Sequence, residues 1–151
     1  MSSQQKNVAV SLGNFSLIMA YFLIRIFFLV RNGEFLPGNV FRLWGWTIGL
    51  SIIVTILATI LTQIVSAIIE AVLSGDMKPE IEGLEDERDK LIDLRGTRVT
   101  YLVSSVGVFL SMLSYVLNQQ ALVMFTLLIF FGLFAQIAGD VTRLSLYRRG
   151  I

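Results

Sequence analysis

Any chemistry in this chain must come from carboxylates and a few cations. Glu82, Asp86, Asp89 and Asp93 recur at spacings of four, three and four residues, which puts them on one face of a helix. Leu84, Arg88, Leu91 and Arg95 fall on another face. Between Ser74 and Thr97 there are eight acids and four bases. Such a face can dock a basic partner or hold a divalent cation weakly, although it lacks the multi-ligand loop that calcium sites use. The simpler reading is a solvated helix surface, neutralised in part by Arg143, Arg148 and Arg149. The candidate docking residues are Glu82, Asp86, Glu87, Arg88, Asp89, Asp93, Arg95 and Arg98.

A second constellation lies in apolar surroundings. Asp140 and Arg143 stand three residues apart, and Glu70 is expected at a similar depth. Pairing among Glu70, Arg98, Asp140 and Arg143 would offset the cost of desolvating each charge near a membrane boundary. The expected role is a clasp holding helix ends together, with gating or binding as the alternative.

A third pattern is made of small and hydroxyl residues. Thr55, Thr59, Thr62, Ser66 and Glu70 form one stripe; Thr97, Thr100, Ser104, Gly107, Ser111, Ser114 and Asn118 form another. Gly132, Ala135, Gly139 and Arg143 share a face further on. Small residues let helices approach closely, and hydroxyls bond across helices or back to their own backbone. The functional alternative is a polar conduit. It lacks a carboxylate at mid-membrane, which a proton-coupled carrier normally needs.

Most enzyme classes are excluded by what is missing. The chain has neither histidine nor cysteine, so Ser–His–Asp catalysis and thiol chemistry are out. No nucleophile elbow, zinc-protease helix or phosphate loop is present. The expectation is a non-enzyme with no cofactor and no metal. The basic residues are dispersed, which argues against nucleic acid.

The elements that position these residues are apolar runs. The 151 residues are 55% hydrophobic and only 15% charged, and the mean hydropathy is +0.75. So apolar a chain of this length would leave too much apolar surface in water. The expected fold is an all-α integral membrane bundle of four transmembrane helices forming a single domain. The first span is read as Val8 to Val30, broken only by Arg25, whose stem can reach the headgroups. This run is too long and bulky for a cleavable leader. Residues 31 to 39 are read as a turn broken by Gly33, Pro37 and Gly38. Arg42, Trp44 and Trp46 then bring interface chemistry.

The second span is read as Leu43 to Leu73, about 46 Å of helix against a hydrocarbon core of about 30 Å. The charged stretch is read as a cytoplasmic loop, residues 74–98, whose last part is a helix flowing into the third span. No charge occurs between Arg98 and Asp140. That run suits two spans, Val99 to Leu117 and Ala121 to Leu144, with a turn at Asn118-Gln119-Gln120. Four spans put Lys6, Lys78, Arg88, Lys90, Arg95, Arg98, Arg143, Arg148 and Arg149 on one side and only Arg31 and Arg42 on the other. The positive-inside rule then places both termini in the cytoplasm.

The segment from Glu85 through Asp86-Glu87-Arg88 to Gly96-Thr97-Arg98, with the tail Tyr147-Arg148-Arg149-Gly150, resembles a family of small bacterial four-span membrane proteins known only as a domain of unknown function. The resemblance implies an inner-membrane protein without an assigned activity, and gives Glu87, Arg88, Arg95 and Arg98 weight beyond solubility. It supplies no catalytic residues.

The leading expectation is an interaction module, anchored in the lipid bilayer and docking a protein partner through the charged loop. The alternatives are a homo-oligomeric channel or small-solute transporter, and a structural subunit of a larger membrane complex.

Overall fold

A computed structural model describes residues 3–74 and 87–149. Among these residues the chain is all-helical, with α1 (Ser3–Arg31), α2 (Pro37–Ser74), α3 (Glu87–Val116) and α4 (Ala121–Arg149). All four helices are long and apolar enough to cross a membrane.

The helix ends follow from local backbone chemistry. α1 closes on Gly33, whose φ of 70° is in the left-handed region that glycine enters without penalty. The Glu34 amide reaches back to the Leu29 carbonyl at 2.9 Å, and the Gly33 amide to the Val30 carbonyl at 3.2 Å. These two bonds are the Schellman cap, which satisfies carbonyls left over at a helix end. α3 ends the same way with Asn118 in glycine's place, at φ 62°. There Gln119 bonds Ser114 and Asn118 bonds Tyr115, both at 3.1 Å. Asparagine is the residue after glycine that best tolerates this conformation. Asn118→Ala is therefore expected to lower stability by about 1 kcal/mol, whereas Asn118→Gly should not. Thermal unfolding of the two variants in detergent checks this; equal loss from both would show that the side chain and not the backbone angle matters.

α2 departs from the sequence reading at its start. Pro37 and Gly38 were expected to break the helix, yet α2 begins at Pro37. Proline has no amide hydrogen and a helix-compatible φ, so it suits the first helical position, where that hydrogen would have no partner. The Leu36 carbonyl accepts from the Asn39 and Val40 amides at 3.1 and 3.0 Å and starts the turn. Trp44 and Trp46 are thus on the helix itself.

α4 is the central helix, packing against α1, α2 and, most extensively, α3. The main apolar core lies where α1, α2 and α4 meet: Ile18, Met19, Phe22 and Leu29 from α1, Leu43 from α2 and Leu133 from α4. With the half-buried Phe15 and Ile26, the α1 residues Ile18, Phe22 and Leu29 recur at three- and four-residue steps, the period of a single helix face. The rest of α2 is largely exposed in the isolated chain. Ile52, Ile53, Ile56, Leu57, Ile60 and Leu61 all project outward. The α3–α4 contact is different in kind, because it is made where glycines remove side chains. A Cβ at Gly107 would run into Phe131, and one at Gly139 into Thr100.

Candidate functional site

The most developed polar site in the described structure is built around Arg143, near the end of α4. Its guanidinium uses all three nitrogens. Nη1 donates to Asp140 Oδ1 at 3.0 Å, one turn back on the same helix. Nε donates to Asp93 Oδ1 at 2.9 Å and Nη2 to Thr97 Oγ1 at 2.8 Å, both on α3. The second oxygen of Asp140 accepts a hydrogen bond of 2.6 Å from the hydroxyl of Ser11 on α1. One guanidinium and one carboxylate therefore tie three helices together.

The sequence explains how the arginine reaches across. Its side chain lies directly over Gly96, where a Cβ would meet Arg143 Nε at 2.7 Å. Gly96 clears the path and Thr97 supplies the acceptor, so Gly96-Thr97 is the seat for Arg143. The pair Asp140–Arg143 is well shielded: Asp140 is only 4% exposed, and the arginine side chain is 14% exposed. The Asp93 side chain is 70% exposed, so its bond is solvated and correspondingly weak.

Beside this cluster is a cavity of about 240 Å³, lined by Gln4, Asp89, Lys90, Asp93, Thr97 and Tyr147 among others. The phenol of Tyr147 lies past the apolar part of α4. Its pKa is pushed up to about 12, by burial first and then by its hydrogen bond to Asp89 and the nearby negative charge of Asp89 and Asp93.

Of the residues expected in the clasp, the described structure brings two together. Asp140 and Arg143 pair. Arg98 does not take part: it is exposed, and among the described residues it makes no ion pair. It has the same charge as Arg143, and the α3 face that meets α4 carries Ile92, Gly96 and Thr100 instead. The side chain of Glu70 lies outside the described residues. Ser11, Asp93, Thr97 and Tyr147 join the site, and Ser11 was missed. Its only signal is its position on the same helical face as Phe15, Ile18 and Phe22.

The candidate docking residues divide in the same way. Glu82 and Asp86 lie outside the described residues. Asp89 and Asp93 are engaged by Tyr147 and Arg143. Glu87, Arg88, Arg95 and Arg98 are exposed on the first turns of α3, and Lys90, which is not among those candidates, is exposed beside them. The described part of the surface is therefore richer in cations than the acidic face read from the sequence. Among the described residues no three carboxylates converge as a cation would require.

The hydroxyl stripes are largely satisfied within their own helices. Thr59 donates to the Thr55 carbonyl at 2.8 Å, Thr100 to Gly96 at 3.2 Å and Ser111 to Gly107 at 2.7 Å. Ser111 is fully buried, and Phe131 fills the space over Gly107. Gly107 and Ser111 pack α3 against α4, whereas Thr55 and Thr59 are exposed and line a small cavity of about 70 Å³ between α1 and α2. Compared with family models, curated proteins and solved structures, the chain finds no match, so this site stands on its geometry alone.

Proposed function

We propose that the protein is a membrane-embedded interaction module. Its four helices cross the bilayer with both termini in the cytoplasm, and the charged first turns of α3 dock a protein partner. One observation carries this reading. Glu87, Lys90, Arg95 and Arg98 project outward from a helix whose opposite face is anchored through Ile92, Gly96 and the bonds from Arg143. A charged surface held rigid by a membrane anchor loses little conformational entropy on binding. The excess of cations on it suits a partner with an acidic surface.

The bonding of the hydroxyls to their own helices weighs against the channel reading within one chain.

The test is affinity purification from native membranes in mild detergent. Wild type is compared with the Lys90→Gln, Arg95→Gln, Arg98→Gln triple variant, and with Arg148→Gln, Arg149→Gln as a charge control. The expected outcome is a stoichiometric partner present with wild type and the control and lost from the triple variant. A partner kept by all three, or recovery of this chain alone from each, removes the docking reading.

A further inference from the structure

At the end of the bundle away from Arg143, α1 and α2 enclose a cavity of about 340 Å³. Its polar lining comes from Tyr21, Arg25, Glu34, Asn39, Arg42 and Trp46, over a floor of buried Leu29 and Leu43. The size is within the range of small-molecule clefts, about 300–1,000 Å³. We infer that this cavity binds the phosphate of an anionic phospholipid headgroup, held between the guanidinium groups of Arg25 and Arg42. The inference rests on the membrane part of the reading above and not on the docking part.

Four observations converge on it. The first is charge. The cavity is lined by two cations and one acid, Glu34, and so keeps one positive charge over. The second is the absence of internal partners: among the described residues neither Arg25 nor Arg42 makes a hydrogen bond or an ion pair. A cation at the edge of the hydrocarbon is costly unless something pairs with it.

The third observation is depth. Arg25 lies about 9 Å before the end of α1, and Arg42 about 8 Å after the start of α2. The two helices are joined by the short turn at residues 32–36, so both arginines sit at the same level. That level is where side chains reach up to headgroup phosphates. The fourth is the surroundings. Tyr21 and Trp46 have the amphipathic rings found at membrane interfaces. The turn above is fixed by the Asn39 amide, which donates to the Glu34 carbonyl at 3.0 Å. Arginine suits the ligand because its planar fork offers two parallel hydrogen bonds to a phosphate.

Membrane retention after carbonate extraction is measured first. A chain released to the soluble fraction overturns the membrane reading and this inference with it. For a retained chain, the purified protein is equilibrated with mixed micelles of phosphatidylglycerol and phosphatidylcholine, and bound lipid is counted by native mass spectrometry. Wild type should retain phosphatidylglycerol in preference. Arg25→Gln and Arg42→Gln should each reduce that retention by about fivefold, the factor expected of one basic residue at an anionic surface. Arg148→Gln, Arg149→Gln should leave it unchanged. Equal retention of the two lipids by wild type overturns the inference without needing any variant. So does undiminished phosphatidylglycerol in both single variants. Displacement of the lipid by millimolar inorganic phosphate would reassign the cavity to a free anion and also overturn it.

Discussion

Arg143→Met should be the most destabilising single change in the described structure, lowering unfolding free energy by about 3–5 kcal/mol. The size follows from what is left behind. Removing the guanidinium strands Asp140 at 4% exposure with only the Ser11 hydroxyl as a donor. A buried carboxylate without its cation keeps the desolvation penalty and loses the attraction that offset it. The bond to Asp93 adds little, because that carboxylate is mostly solvated; Asp93→Asn should cost no more than about 1 kcal/mol.

Replacing both partners should rescue the fold. In Asp140→Leu, Arg143→Met both charges are replaced by apolar groups of similar size, and most of the lost stability should return. Ser11 can then bond to a carbonyl of its own helix. Thermal unfolding of the three variants in detergent makes the comparison. An unchanged melting curve for Arg143→Met, or a double variant as unstable as the single, would show that the cluster does not hold the helix ends together.

Gly139→Ala should be the second large effect. Here the cause is the close approach of α3 and α4 at a glycine. The added Cβ would meet the Thr100 hydroxyl and come within 3.2 Å of the Gly96 carbonyl oxygen. A side chain can turn away, but a backbone carbonyl cannot move without shifting α3. Overpacking of this kind costs about 1–3 kcal/mol, more than alanine's helix preference over glycine returns. Thr100→Ala in the Gly139→Ala background should recover part of the loss, since it clears the hydroxyl and leaves the carbonyl.

Gly45, Gly49 and Gly132 are the controls. A Cβ at each meets nothing within 4 Å in the isolated chain. Alanine there should be neutral, or stabilising by up to about 1 kcal/mol. Gly139→Ala melting at or above wild type would refute the close approach of α3 and α4. Loss of stability at the three control positions would point to a second copy or another subunit packed against them.

Both predictions bear on the proposed function. The bonds from Arg143 and the glycine contacts hold the first turns of α3 against α4. If docking needs those turns held rigid, Arg143→Met should weaken partner recovery although it removes no outward-facing charge.

Much of the fold could be read from the order of residue types. Apolar runs of membrane length, the charged interval between Leu73 and Val99 and the polar cluster at Asn118 are local properties, and helices and turns form from local backbone preferences. The helical reading of the charged stretch, the turn before Ala121 and the Asp140–Arg143 pair all lie within a few residues of chain. Pro37 was misread for an equally local reason: proline breaks a helix interior but starts one well.

Which charges meet was decided only by the tertiary structure. Arg143 bonds Asp93 across 50 positions of sequence, and Ser11 bonds Asp140 across 129. Such pairs depend on how each helix is rotated about its axis and slid against its neighbour. That is set by packing over whole faces, by Phe131 filling the place at Gly107 and by the Arg143 side chain crossing Gly96. Residue spacing gives the faces of one helix but not their alignment with another. Residue spacing therefore puts Arg98 in the clasp and Asp93 on the docking face, whereas the packing of α3 on α4 turns Arg98 outward and Asp93 onto Arg143.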